Sequence, residues 1–304
     1  MSEETILSDS QFLNELRTTE ARTAPRFVGV PLAADRLSMS QMTTRHWNFE
    51  EDILGYRRFE LSRVAVWHQK LALFGEEKAL DLLAEHPVAV TSLYHGGGFL
   101  DADELRWGDP AADAIDGVRL AARLGARDVV VVSGDRGTFT KGHAKRLLVE
   151  SLRRLADAAG ESGVHVALAP LHRSQSRGRT FLTELEETIE VIDRTRHARL
   201  GLALDLLASW DDACFLTRVG ELTPWVRVVT ISDTASRKRG SGHQCVPGEG
   251  MVPLVDRLKS LCAAGYAGPI ECRVLSSDRD ATGYDELLAR CLASFDRLCS
   301  DVNG

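Results

Sequence analysis

The feature that most constrains this chain is an eightfold alternation of short apolar runs with longer amphipathic stretches, starting at Leu37. The runs Leu37–Met42, Ser62–Trp67, Ala89–Tyr94, Asp128–Ser133, Val164–Ala169, Leu200–Leu206, Val226–Ser232 and Ile270–Leu275 have the length and residue types of buried strands. Between them, helical spacing predicts Phe49–Arg58, Glu76–Glu85, Asp113–Leu124, Ala144–Ala159, Thr180–Arg194, a short piece near Ala213–Val219 and Met251–Ala264; Tyr284–Cys299 follows the last strand. Gly125, Gly160 and Gly265 stand where helix C-caps are expected, since a left-handed residue there turns the chain back toward the next strand. Strands separated by helices must lie parallel, and eight such units suggest closure, so the predicted fold is an α/β TIM (β/α)8 barrel. The rival open doubly wound sheet needs a glycine-rich phosphate turn after an early strand. TSLYHGGGFL (91–100) has the glycines but neither the GxGxxG spacing nor a helix starting at once.

In this reading residues 36–304 form one barrel domain. Residues 1–35, weakly periodic apart from Phe12, Leu13 and Leu16, form an arm able to cap the barrel's lower end. A formal net charge of −7 with dispersed basic residues, Arg237, Lys238 and Arg239 apart, argues against nucleic acid as a partner. Six cysteines without a CxxC pair argue against a disulfide framework or a zinc knuckle. The acidic N-terminal stretch and the absence of a long apolar run predict a cytoplasmic protein that does not enter membranes.

A barrel of this kind keeps its chemistry at the C-terminal strand ends. GVHVALAPLHR (163–173) is the clearest such end, an apolar strand stopping at Pro170 before His172 and Arg173. His165 shares a strand face with Ala167 and Ala169, and strand parity alone leaves open whether that face is the lumen.

LSMSQMTTRHWNFEEDI, VWHQKLALFG, TSLYHGGGF, LGARDVVVVSGD, GVHVALAPLHR, LALDLLASWDD, VVTISD, PGEGMVPL and AAGYAGPIECRVLS, taken in order, resemble the xylose-isomerase-like barrels of the sugar phosphate isomerase/epimerase family. The resemblance runs from about Leu37 through all eight strands. It implies a divalent metal held at the ends of the fifth to eighth strands and a proton moved next to a carbonyl. Where the family reads EPLH on the fifth strand, this chain has Ala169-Pro170-Leu171-His172. Asp205 remains on the sixth, the family's following His is Ala208, the seventh-strand ligand is Thr230, and the second Glu of the eighth is Arg273.

A hard divalent cation depends on several oxygen or imidazole ligands, and Asp205 alone does not hold one. The expected site therefore has no metal and no organic cofactor. Arg273 offers a planar fork to a carboxylate, phosphate or enolate oxygen, or else simply pairs with Asp205 across the mouth. His95 and His172 are the expected acid and base, with Asp205 and Arg273 completing the catalytic group. Trp67, Arg173, Trp210, Asp233 and His243 are the expected substrate contacts, and Arg177 and Arg179 lie on the same loop as Arg173. Two functions survive: a metal-independent enzyme doing acid-base chemistry on a small anionic or carbonyl-containing metabolite in a specialised biosynthetic pathway, or a non-catalytic barrel that kept the pocket. A metal-dependent isomerase using His172, Asp205, Asp233 and Glu271 is a third.

Overall fold

Apolar runs such as Asp128–Val132 are buried along their whole length, as strands of a parallel sheet covered on both faces must be. In the computed structural model, which describes residues 29–99, 110–210, 212–236, 244–275 and 283–304, eight such strands close into a barrel. They are β1 (Leu37–Ser40), β2 (Arg63–Trp67), β3 (Ala89–Gly97), β4 (Asp128–Val132), β5 (His165–Leu168), β6 (Leu200–Asp205), β7 (Val226–Ile231) and β8 (Ile270–Cys272), each parallel to the next, with β8 closing on β1. The fold is the TIM barrel that the alternation predicts.

Around it run α1 (Phe49–Arg58), α2 (His68–Phe74), α3 (Glu76–Glu85), α4 (Pro110–Arg123), α5 (Lys141–Ser162), α6 (Leu185–Thr195), α7 (Ala213–Leu222), α8 (Leu254–Ala263) and α9 (Tyr284–Asn303). Local chemistry sets their ends. Asn48 and Glu51 form a reciprocal capping box at the start of α1, with bonds of 2.9 and 2.7 Å. Gly163 (φ 76°) caps α5, three residues beyond the expected Gly160, which lies inside the helix. The seven-residue α2 follows β2 directly and is too short for its period to stand out in sequence. Residues 180–184 are not helical as expected, because Thr180 is spent elsewhere: it bridges Gly134 and its Oγ1 lies 2.7 Å from Ser133 Oγ.

Two apolar layers result. Leucine, valine and isoleucine from the outward faces of the strands pack beneath the helices. Inside the barrel a smaller cluster contains Tyr94, Val130, Val132, Ala167, Ala169, Leu171, Ala203 and Val228, with half-buried Met42 and Trp67 against it. The alanines leave volume that larger residues fill in most barrels, and polar side chains occupy the lumen below them. The described end of the N-terminal segment is fastened beside β8, where Arg36 donates to the carbonyls of Tyr266 (2.9 Å) and Gly268 (3.0 Å). Cys245, Cys262, Cys272, Cys291 and Cys299 are free thiols. Among the described residues no helix is long and apolar enough to cross a membrane.

Candidate active site

Register places Asp205 of β6 beside Thr230 of β7, Thr230 beside Glu271 of β8, and Glu271 beside Ser38 of β1. Arg273 follows Glu271 by two residues and so shares its strand face. Its guanidinium Nη2 donates to Asp205 Oδ2 in an ion pair whose side chains are 12% and 14% exposed. The other carboxylate oxygen accepts the N–H groups of Leu207 (2.9 Å) and Ala208 (3.1 Å), so the loop after β6 holds Asp205 in place. Arg273 Nε is buried and has no partner in the protein. The two residues are thus brought together as the sequence suggests.

The site does not fit the divalent metal that the resemblance implies. Ala169 and Thr230 are buried at the mouth without a carboxylate or imidazole, and a guanidinium occupies Asp205. Among the described residues no three His, Cys, Asp or Glu side chains converge to hold a metal ion. An always-charged arginine hydrogen-bonded to the remaining carboxylate repels a cation there.

A cavity of about 820 Å³ opens over the other side of the mouth. Its floor is Trp67, Tyr94 and Val132, its walls carry Arg45, Gln69, Asp135 and Arg179, and Met42 and Leu275 close it on the β1 and β8 side. Neither Asp205 nor Arg273 lines it; Leu275 brings its edge to within two residues of Arg273. Arg179 Nη2 donates to the Tyr94 hydroxyl at 2.9 Å, tying the β5 loop to the lumen. Asp135 Oδ1 accepts Gly137 N–H and Oδ2 accepts Gly178 N–H, both at 3.0 Å, which joins the β4 and β5 loops. The Gly96–Gly98 turn lets β3 pass tightly against β4. A Cβ on Gly97 would lie 1.9 Å from Val132 O, so only glycine fits.

Of the other expected site residues, Trp67 and His95 line this cavity. The backbone of His95 borders it, but the alternation that turns Tyr94 inward turns the His95 ring outward, between α2 and α4. That ring stacks on His68 at 4.6 Å, lies 3.4 Å from Asp113 and covers Gly117, where a Cβ would meet it at 2.3 Å. Burial and the neighbouring His68 lower its pKa, with Asp113 opposing. The catalytic place expected for His95 is therefore corrected to a position in the helix layer. His172 Nδ1 accepts the Ser174 N–H at 3.2 Å and lies 2.8 Å from Ser174 Oγ, capping a short turn outside the cavity lining. Arg173 is an exposed partner of Glu184.

Trp210 packs against the outer core, and its carbonyl accepts from Arg257. Asp233 is fully buried and accepts four backbone N–H groups, from Thr234 (2.8 Å), Val252 (2.9 Å), Gly248 (3.0 Å) and Gly250 (3.0 Å). With its oxygens saturated, Asp233 fixes the 244–252 segment and does not reach a substrate, which corrects the expected contact. His243 lies outside the described residues. His165 begins β5 at the opposite end of the barrel, 3.4 Å from Arg199, so it does not belong to the mouth.

Sequence reasoning passed over Tyr94 and Arg45, and it also missed Glu271 except as a possible ligand. Period-two counting from Ser92 would have placed Tyr94 in the lumen. Glu271 is 6% exposed and accepts Ser92 Oγ–H at 2.5 Å. Burial pushes its carboxyl up to about 7, against the lowering by the Ser92 hydrogen bond, by Arg273 and by Thr91. Asp128 is likewise raised to about 7, by burial, with the Glu271 charge adding to it against Arg127 and Arg227.

A folded-state pKa above the unfolded one means the native lumen prefers the protonated acid. The stability from Glu271 is full below about 4.5 and is lost as pH rises through about 7. Glu271→Gln should therefore raise the melting temperature relative to wild type more at pH 8 than at pH 5, by up to roughly 3 kcal/mol of differential stability. Thermal unfolding of both proteins at the two pH values measures it. An equal shift at both would show that Glu271 ionises freely in the fold.

The comparisons with known proteins agree with this architecture. A family described as xylose isomerase-like TIM barrel matches residues 46–294. A curated relative, "Probable endonuclease 4" of Mesomycoplasma hyopneumoniae, is 26% identical over 122 residues, which is 37% of this chain and 42% of that protein. The chain thus spans less than half the length of that relative. Protein SMc04130 of Sinorhizobium meliloti superposes with a TM-score of 0.80 at 23% identity, over 88% of this chain and 99% of that one. The 3-keto-D-glucoside 4-epimerase YcjR of E. coli superposes with a TM-score of 0.70 at 17% identity, over 87% and 99%. Likenesses at these identities show the fold.

Proposed function

The chain belongs to the xylose isomerase-like TIM barrel family, and from that premise we propose that it is an isomerase- or epimerase-like enzyme that works without a divalent metal on a small anionic or carbonyl-containing metabolite. The observation that carries this reading is the Asp205–Arg273 pair. It puts a fixed cation with a buried, unpartnered Nε where the family resemblance calls for a metal ligand. A buried donor without a partner costs about 1–3 kcal/mol; Arg273 does not line the cavity, so an oxyanion recovers that cost only when the groups covering Nε at the cavity's edge give way to it. Negative charge developing on a carbonyl oxygen needs such a preorganised donor when no Lewis acid is present.

In this reading the ligand lies in the cavity beside the pair, against Trp67 and Tyr94, with Arg45 and Arg179 favouring negative charge. With the His95 ring in the helix layer, the proton carrier in the cavity is the Tyr94 hydroxyl, oriented by Arg179. The relatives named endonuclease and 3-keto-D-glucoside 4-epimerase set the range of family chemistry. The acid-base step of an epimerase matches this cavity better than cleavage of a polyanionic strand by a protein of net charge −7. A specialised biosynthetic pathway is the setting that a departure from the family's metal favours.

The positions of His95 and His172 support a second reading, a ligand-binding barrel without turnover, since the His95 ring packs against His68 and Asp113 and His172 caps a short turn outside the cavity lining. Elemental analysis and chelation test the first. Purified protein should contain less than one equivalent of zinc or manganese, and its thermal transition should not move in a chelator. One tightly held metal per chain would overturn the metal-independent reading. A ligand that binds but is never converted would favour the second.

A further inference from the structure

Beyond the mouth, the β4 and β5 loops form a second, open groove of about 450 Å³, lined by Arg136, Lys141, Arg177 and Phe181 among others, with Asp135 shared between it and the main cavity. We propose that this groove is an oxyanion subsite that takes a phosphate or carboxylate tail of a ligand whose body sits in the main cavity. The placement of the body rests on the function proposed above; the groove's affinity for an oxyanion does not.

Charge is the first argument. Lys141 is neutralised by Glu187. Asp135 is occupied on both oxygens by the Gly137 and Gly178 N–H groups. Arg136 donates to the Phe139 carbonyl at 2.6 Å, and among the described residues neither Arg136 nor Arg177 has a carboxylate within ion-pair distance. The two guanidinium groups therefore outnumber the one lining carboxylate, Asp135, whose oxygens already hold N–H groups, so the groove stays net positive, and planar forks of this kind recognise carboxylate and phosphate oxygens. An exposed arginine alone would be a solvated surface residue. Two of them lining one groove, on loops fastened to each other, add their fields at one place.

Rigidity is the second. The bridge between Gly134 and Thr180, the 2.7 Å contact of Ser133 Oγ with Thr180 Oγ1, and the bond from Phe181 N to Gly134 O (3.1 Å) fasten the two loops that carry the arginines. A site held by such contacts binds with less ordering cost than two free loops would. Connectivity is the third. The groove meets the main cavity at Asp135, and Arg177 in the groove is followed by Gly178 and Arg179 in the cavity wall, so one extended ligand can occupy both.

Calorimetric titration of the full-length protein with inorganic pyrophosphate, and in a parallel arm with citrate, tests the groove directly. Wild type should bind at low salt and weaken as salt rises. Arg136→Met/Arg177→Met should lose at least tenfold in affinity with an unchanged melting temperature, and Arg177→Lys should lose less, since charge survives but the fork does not. Binding of pyrophosphate alone would assign a phosphate tail, and binding of both anions a general oxyanion tail. Equal affinity in wild type and the double variant, or no binding of either anion to wild type, overturns the proposal. If Arg179→Met abolishes binding and the double variant does not, the anion belongs to the main cavity. The groove inference then fails while the proposed function stands.

Discussion

Arg273→Met should destabilise the protein by about 3–5 kcal/mol, the usual cost of removing one partner from a buried ion pair. The pair's side chains are 12% and 14% exposed, so solvent does little to rescue the carboxylate left behind. Asp205 keeps the Leu207 and Ala208 N–H groups on Oδ1, while Oδ2 loses its donor. Asp205→Asn/Arg273→Met should recover much of the loss, because no buried charge remains. Coupling between the two sites should therefore be at least about 1 kcal/mol in a double-mutant cycle. Arg273→Lys should lie between, since an ammonium supplies charge but not the fork. Denaturant unfolding of wild type, Asp205→Asn, Arg273→Met, the double variant and Arg273→Lys measures this, and an Arg273→Met variant as stable as wild type would show that the pair is open to water. The same preparations separate structure from function. If Arg273 only braces Asp205, the double variant binds an anionic ligand normally; if it holds the ligand's oxyanion, the double variant is stable and still binds at least tenfold more weakly.

Strand positions were legible in the sequence because each is bounded by glycine, proline or polar residues and carries an apolar run that no other element explains. All eight lie where the alternation put them, and α1 and α3 match to the residue. Side-chain direction was less legible. His95 and Tyr94 are adjacent, and a one-residue choice sends one into the lumen and the other into the helix layer. Period two from Ser92 settles it, but a histidine beside three glycines attracts attention that a tyrosine does not. Asp233 misled for a different reason. A carboxylate at a strand end looks the same in sequence whether it meets a substrate or four backbone N–H groups, and its donors come from residues up to 19 positions away. Arg45 and Arg179 lie on loops whose course no pattern predicts, so the cavity they wall could only be found in three dimensions.

Restoring the family's residues should restore a metal site. In Ala169→Glu/Thr230→His/Arg273→Glu, two carboxylates and an imidazole join Asp205, giving four ligands of the kinds that hold zinc or manganese. Asp205 stands in register with position 230, and position 169 follows β5 at the same mouth, so the four donors share one end of the barrel. Without metal the variant should be less stable than wild type. Glu is larger than the 8%-exposed Ala169 that it replaces, and overpacking of this sort costs about 1–3 kcal/mol before the repulsion among three carboxylates is counted. Metal should reverse the loss: an ion that binds only the folded state adds about 2.7 kcal/mol when present at a hundred times its dissociation constant. Zinc should act at lower concentration than manganese, following the ordinary order of divalent affinities. Wild type should show no shift with either ion, because Arg273 occupies the one carboxylate left. Arg273→Glu alone should not suffice, since it places two carboxylates together without the neutral and anionic donors from β5 and β7. Melting temperatures of the three proteins with and without each metal decide the matter. A triple variant that folds but neither binds manganese nor shifts with zinc would mean that Ala169, Thr230 and Arg273 do not stand at the family's ligand positions, and the argument for a guanidinium in place of a metal would fall with it.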